Sequence, residues 1–300
     1  MTEPVDIIIL TYRPGPGLLD IIERLEGQTV PPRKIILMNT VKEYLDELMG
    51  KDARLDGYDN IEIHHLSEEE FDHGGTRKEA ARYSDAAFLI YMTMDAYPAD
   101  EYLVENLLAP FEKDESIAVS YARQLPRQGA SPIEVYNRLF NYPDGDVKKT
   151  KADKERLGIK TYFCSDVCAC YRRDIYDSLG GHIDHTVFNE DMIYAHKAVE
   201  SGYGIYYASS ARVVHSHDYT VMEQYRRNID LGRSQAEHPE VFASVPSEGE
   251  GRKLVKGCVL YLLKEGRWYM IPRFVALCAG RYLGYRKGKR YVRDSRIRRT

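Results

Sequence analysis

Three short stretches carry the residue types that could do chemistry. In FLIYMTMDAYP (88–98), a run of buried-strand residues delivers one carboxylate, Asp95, and stops at Pro98. A charge at the end of a buried strand needs a partner. One candidate is a divalent cation shared with a substrate's phosphates, because Mg²⁺ and Mn²⁺ favour oxygen ligands. The other is a helix N-cap or an ion pair. In FNEDMIYAHK, Glu190 and Asp191 stand side by side at a helix start, where the helix dipole favours anions. They read either as a general base with its helper or as a capping pair. In VVHSHDYT, His215 and His217 are two apart at a strand end, so they leave on the same side. Either can ligate a metal. Zinc would need a third close ligand, which the local sequence does not offer.

Two further stretches are weaker. FDHGGTRKEAAR places a Gly pair before a helix with Arg77 and Lys78 in its first turn, an arrangement that could meet phosphates. It has neither P-loop nor G-x-G-x-x-G spacing, so an NTPase or a dinucleotide oxidoreductase is not supported. CSDVCAC (164–170) has no second Cys pair to complete a tetrahedral site. As a strand it would set Cys164, Cys168 and Cys170 on one face as buried structural thiols.

These residues need elements to hold them. Over residues 1–120, near-continuous apolar runs (5–10, 34–40, 61–66, 87–92, 117–123) alternate with helical segments. That pattern predicts an α/β fold with a mainly parallel sheet covered on both faces. Ligands of such sheets bind at the carboxyl ends of the strands, where Thr11, Asn39 and Asp95 fall. Residues 125–156 are rich in Pro, Gly and charge and read as a long lid or connection. Residues 161–173 read as a strand, 189–202 as a helix, 204–208 and 211–217 as two short strands, and 223–235 as a helix. A polar break follows at 245–253.

The tail differs in charge. Residues 281–300 hold nine Lys/Arg and one Asp, a net of +8 against −4 for the whole chain, which leaves −12 on the first 280 residues. Ile271, Phe274, Val275, Cys278, Tyr282 and Tyr285 share one helical face, flanked by Arg267, Arg273, Arg281 and Arg286. A basic amphipathic helix with aromatics reads as an interfacial membrane anchor, or else as a helix packed on the domain with its arginines solvated. The acidic body and the lack of a DNA- or RNA-binding motif exclude nucleic acid as a partner. With no basic-then-apolar leader and no apolar run long enough to span a bilayer, a cytosolic chain with reduced thiols is expected.

Taken in order, FDHGGTR (71–77), TMDAYP (93–98), ARQLPRQGASPIEVYNRLFNYP (122–143), LGIKTYFCSDVCACYRRDIYDSLGG (157–181), FNEDMIYAHKAVESGY (188–203), ARVVHSHDYT (211–220) and EQYRRNIDLGRSQ (223–235) resemble the family 2 inverting glycosyltransferases. Within them the chain is most similar to the bacterial rhamnosyltransferase group. The resemblance implies a GT-A type nucleotide-sugar-binding fold over residues 1–245, with 246–300 as a basic helical C-terminal extension. It implies a nucleotide-sugar donor held by Thr11, Tyr12, Arg13, Asn39, Arg77, Thr93, Met94 and Asp95. It also implies a Mn²⁺ or Mg²⁺ ion on Asp95 with His215 or His217. Asp191 matches the catalytic base, beside Glu190, and Asp166 and Tyr142 would lie on the acceptor side.

The implied reaction is a single displacement that inverts the anomeric centre, giving an α-L-rhamnoside from dTDP-L-rhamnose. The implied acceptor is a lipid-linked cell-surface or cell-wall polysaccharide at the inner face of the cell membrane, reached by a peripheral protein. Three positions depart from the family pattern. Thr93 replaces the first Asp of D-x-D, and Lys78 and Asp166 stand where Asn is expected. A galactosyl- or glucosyltransferase, or a non-catalytic glycan- or membrane-binding protein on the same fold, are the alternatives.

Overall fold

The computed structural model describes residues 3–243 and 248–297. Its strands are β1 (Val5–Tyr12), β2 (Lys34–Thr40), β3 (Ile61–Leu66), β4 (Phe88–Thr93), β5 (Tyr97–Pro98), β6 (Ile117–Leu125), β7 (Val147–Lys149), β8 (Cys168–Arg172) and β9 (Gly204–Val214). Its helices are α1 (Gly17–Glu26), α2 (Lys42–Met49), α3 (His73–Ala80), α4 (Leu103–Lys113), α5 (Pro132–Asn141), α6 (Lys154–Leu157), α7 (Arg173–Ser178), α8 (Glu190–Glu200), α9 (Val221–Glu237), α10 (Pro239–Phe242), α11 (Glu248–Lys264) and α12 (Ile271–Ile297).

The strands form one sheet in the order β3-β2-β1-β4-β8-β6-β9-β5, with β7 also on β9. The long ladders β3-β2-β1-β4 and β6-β9 are parallel. Strand β8 runs antiparallel between β4 and β6. The apolar runs are two-faced because helices cover both sides. Ile7 and Ile9 of β1 pack with α1 and α4, and Ile8 packs on the side of α7 and α8.

Several expectations change. Residues 125–156 are not a lid, since they contain α5, β7 and α6, and β7 is a paired strand. The two short strands at 204–217 are one, β9, with a register irregularity where Ala122–Arg123 oppose Ala208–Arg212. The stretch from 161 becomes strand only at Cys168. Cys168 and Cys170 therefore join the α1/α4 core, while Cys164 lies in the opposite one. All three are free and buried. The polar break reaches helix early, as α11 starts at Glu248. Its first residues, 245–247, lie outside the described residues.

The tail packs on the domain through glycine. A Cβ on Gly284 would stand 2.2 Å from the Tyr225 carbonyl oxygen of α9, and one on Gly288 2.1 Å from that of Ile229. Only glycine lets the two backbones approach this closely. Phe274 and Leu277 of α12 also join Ile133, Cys258 and Leu262 in a separate small core. Of the residues that share one helical face by period, Phe274 is buried whereas Val275 and Tyr282 are exposed. The face toward α9 is set by the i, i+4, i+8 glycines at 280, 284 and 288 rather than by the apolar residues.

Candidate active site

Two loops leave the sheet side by side. Tyr97 of β5 pairs with Val214 of β9, so the turn after β4 carries Asp95 against the residues that follow β9. His215 Nε2 lies 3.4 Å from Asp95 Oδ1, and His217 Nε2 lies 3.0 Å from Asp95 Oδ2. The two imidazole Nε2 atoms are 3.0 Å apart. Burial pushes the Asp95 carboxyl up, but hydrogen bonds from His215 and His217 outweigh it and hold the group well below the usual carboxylate range.

On its other side, His215 places Nδ1 3.0 Å from Gln124 Oε1. Gln124 is oriented in turn, because its Oε1 also accepts from Arg138 and its Nε2 donates to Ser165 Oγ at 2.9 Å. A cation at this place would replace the hydrogen bond between His215 and Asp95: neutral His215 would donate Nδ1–H to the amide oxygen and offer its Nε2 lone pair to the ion. One carboxylate oxygen and two ring nitrogens thus lie within 4.8 Å of one another, a ligand set that fits a divalent cation.

Opposite this triad, α8 begins at Glu190 after Asn189, whose φ is 65°. Glu190 turns inward. Its carboxylate lies 3.1 Å from Arg77 Nη1, and Arg77 Nε lies 3.0 Å from Asp166 Oδ2. Asp166 is further held by Tyr171, whose hydroxyl donates to Oδ1 at 2.5 Å, and by His182, 3.0 Å away. Burial opposes the charge on Arg77, and Glu190, Asp166 and Asp191 outweigh it. Asp191 accepts backbone N–H groups from Met192 at 2.7 Å and from Asp166 at 3.3 Å. Burial, aided by the nearby charges of Glu190 and Asp166, pushes its carboxyl well above the usual range. That direction suits a general base.

Two cavities meet at Asp191. One, of about 260 Å³, is lined by Arg77, Thr93, Asp95, Asp166 and Glu190. The other, of about 430 Å³, is lined by Gln124, Arg138, Tyr142, Gln224 and Arg281. Asp191, His215, His217, Tyr219 and Arg227 line both.

The remaining residues singled out in the sequence are placed as follows. Thr11 donates to Asn39 Oδ1 at 3.0 Å. The exposed Tyr12 and Arg13 gather with Tyr44, and the Tyr12 N–H reaches Met94 Sδ at 3.4 Å. This group stands along the ends of β1 and β2, connected to Asp95 through Met94 but outside both cavities. Tyr142 is buried and lines the larger cavity, whereas Asp166 lines the smaller one.

The Gly pair does not form a phosphate loop. Both glycines lie inside α3, whose N-terminal N–H groups at Gly74 and Gly75 are taken by Asp72 Oδ1 at 2.9 and 2.8 Å. A Cβ on Gly74 would stand 2.2 Å from the Ile183 carbonyl oxygen, so the glycines serve close packing. Lys78 pairs with Asp184 at 2.6 Å.

Residues 6–180 match the family described as glycosyl transferase family 2. The chain is 36% identical over 289 residues to the O-antigen chain rhamnosyltransferase RfbN of Salmonella typhimurium, covering 96% of this chain and 90% of that one. The chain belongs to glycosyl transferase family 2. It is also 37% identical over 228 residues to the O-antigen chain rhamnosyltransferase WbaN of Salmonella anatum, covering 75% of this chain and 72% of that one. Among solved structures, the fold is similar to a mannosyltransferase from Pyrobaculum calidifontis in complex with GDP-Man and Mn²⁺. The TM-score is 0.60 at 14% identity, over 94% of this chain and 88% of that one. The protein is thus a glycosyltransferase of GT-A type, as the order of its motifs implied.

Sequence reasoning left several residues of this glycosyltransferase without a role. Gln124, His182 and Arg227 lie within stretches or beside glycines already singled out, but their partners are distant in sequence. Arg281 stands in the sequence only as one of four arginines flanking the apolar face of the tail. The G-x₃-G-x₃-G spacing of 280–288 was the available signal that this helix packs closely and turns a neighbouring residue inward.

Proposed function

We propose that the protein is a metal-dependent inverting rhamnosyltransferase that moves L-rhamnose from dTDP-L-rhamnose to a hydroxyl of a lipid-linked cell-surface glycan. The observation that carries this is the position of Asp191. It stands at the junction of a cavity holding Asp95, His215 and His217 and a second cavity open to an acceptor. The 36% identity to an O-antigen rhamnosyltransferase supports the choice of sugar.

In this reading the smaller cavity takes the sugar diphosphate. Asp95, His215 and His217 hold the cation, and two imidazoles in the set favour Mn²⁺ over the all-oxygen preference of Mg²⁺. When bound, the cation offsets the charge that develops on the departing diphosphate. The Tyr12–Arg13–Tyr44 group offers flat faces and a charge for the nucleoside, with Thr11 and Asn39 behind it. The acceptor hydroxyl in the larger cavity gives its proton to the Asp191 carboxylate as its oxygen bonds to the anomeric carbon. The bond from that carbon to the diphosphate oxygen breaks on the opposite face, so a β-linked donor yields an α-linked product. Glu190 and Asp166 act through charge. They raise the basicity of Asp191 while Arg77 holds both in place.

The acceptor is met at a membrane surface. Among the described residues, nine of the fourteen exposed large apolar side chains lie in α11, α12 and their connection, Leu260, Leu263, Trp268, Tyr269, Tyr282 and Leu283 among them. Arg267, Arg273, Arg286 and Lys287 are interspersed, each contributing roughly 1 kcal/mol near an anionic leaflet. No helix among the described residues is long and apolar enough to cross a membrane; the contact read here is a peripheral one, made by these exposed side chains.

A panel of nucleotide sugars, each with and without Mn²⁺ or Mg²⁺ and with lipid-linked acceptor, tests the reading by nucleotide release. Turnover with dTDP-rhamnose is expected. Turnover only with another sugar would overturn the rhamnosyl assignment, and none with any donor would overturn the enzyme. Asp191→Asn should abolish transfer while leaving donor binding intact.

A further inference from the structure

The larger cavity holds two guanidinium groups with no carboxylate paired to them among the described residues. Arg281 projects from α12 into the cavity, and its Nε donates to Gln224 Oε1 at 3.1 Å. Arg227 of α9 lies over the rings of Phe188 and Tyr219, at 4.7 and 5.7 Å. The third arginine there, Arg138, is satisfied by Glu134 at 2.7 Å and by Gln124, so Glu134 is already engaged. Burial pushes the Arg281 guanidinium down, and the like charge of Arg227 adds to this. Glu134 and Asp191 also line this cavity, but neither forms an ion pair with Arg281 or Arg227, and two cations facing one space favour an anion between them.

Arg227 lines both cavities, so it is Arg281 that separates this anion from the position proposed for the donor's diphosphate. Arg281 lines only the cavity that lacks Asp95 and Arg77. It is carried by the same helix whose outer face presents Tyr282 and Leu283 to solvent. The tail therefore reaches outward with apolar and basic side chains and inward with one arginine.

We propose that Arg281 and Arg227 form a subsite for a phosphate or diphosphate group on the acceptor, so that the C-terminal helix reads the anionic link between glycan and lipid while it lies on the membrane. This rests on the acceptor assignment above. It makes α12 part of the binding site rather than an anchor alone.

Binding of inorganic pyrophosphate to the full chain, measured calorimetrically with EDTA present, tests the subsite without turnover. Wild type should bind, and Arg281→Gln should weaken binding about tenfold or more, in line with the loss of a charge-assisted hydrogen bond. Arg281→Lys should fall between, and Arg286→Gln, on the outer face, should match wild type. Less than a twofold effect of Arg281→Gln in a protein that melts like wild type overturns the subsite. Loss of pyrophosphate binding on saturation with dTDP overturns it too, by assigning the anion to the donor.

A second arm compares acceptor KM for a glycan bearing a diphosphate with that for the same glycan as a simple alkyl glycoside. Wild type should prefer the first about tenfold, and Arg281→Gln should lose the preference. Pyrophosphate binding without that preference means a free anion is the ligand and overturns the acceptor assignment. If wild type turns over no donor at all, the functional reading fails, and the binding arm still decides the anion site.

Discussion

Replacing Arg77 by methionine removes the cation shared by Asp166 and Glu190. The side chains involved are nearly dry, with 5% exposure for Arg77, 2% for Asp166 and 9% for Glu190. Removing one partner of such a buried pair leaves uncompensated charge and costs about 3–5 kcal/mol. The hydrogen bond from Arg77 Nη1 to the His73 carbonyl oxygen is lost as well. At about 2–4 °C per kcal/mol for a domain of this size, the melting temperature at pH 7 should fall by roughly 10 °C.

The pH dependence adds a second condition. Burial pushes the Asp166 carboxyl up, but His182, Arg77 and Tyr171 outweigh it and hold it below its ordinary value of 3.8. A depressed carboxylate contributes stability that is present above its unfolded pKa and lost as pH falls through its folded pKa. The gap between wild type and Arg77→Met should therefore be full at pH 7 and narrow below about pH 4. Thermal melts followed by circular dichroism across pH 3–8 provide the assay. A loss under about 2 °C at pH 7, or a gap unchanged at the acid end where both proteins still fold, would refute the idea that these charges stabilise through Arg77.

Three other outcomes are expected. Glu190→Gln removes a negative neighbour of Asp191 and frees Arg77, both of which lower the Asp191 pKa, so the acid limb of kcat/KM should move to lower pH in a pH–rate profile. A limb that moves up or stays would count against Asp191 as the base or Glu190 as its tuner. Burial holds the Lys149 amine down to about 7 from 10.5, so between those values the unfolded chain binds more protons and wild-type stability should rise with pH, by up to about 1.4 kcal/mol per pH unit. Urea melts of Lys149→Met should lack this rise. Gly284→Val would drive a side chain into the Tyr225 carbonyl oxygen and should cost about 1–3 kcal/mol, read as earlier proteolysis of the tail and weaker pyrophosphate binding as Arg281 is displaced.

How far the sequence could be read depended on the range of each signal. The strands of the parallel half announced themselves because burial on both faces demands unbroken apolar runs, and "VDIIIL" has no other stable place. Asp95, Asp191 and the two histidines could be named because each ends or begins an element, where function is concentrated in this type of sheet. The convergence of Asp95 with the histidines was implied only by the family resemblance, because it comes from the Tyr97–Val214 pairing of a two-residue strand that no periodicity reveals. The Arg77–Asp166–Glu190 hub was hidden for a related reason. Its members are far apart in sequence, and a buried ion pair leaves no local pattern, so neither residue's partners could be read from the sequence around it.

In the tail, packing adds a constraint that the strong local pattern does not carry. Its apolar residues fit one helical face by period, yet helix contact depends on how closely two backbones approach as well as on apolar area. Glycines at 280, 284 and 288 allow an approach that Val275 or Tyr282 would block, so those side chains turn outward. Once the glycine face is fixed against α9, the direction of Arg281 follows from helix geometry: it is one residue past Gly280 and three before Gly284, at the edge of the contact. A residue at that edge must either reach solvent or enter the adjoining cavity, and in this helix it enters the cavity beside Gln224.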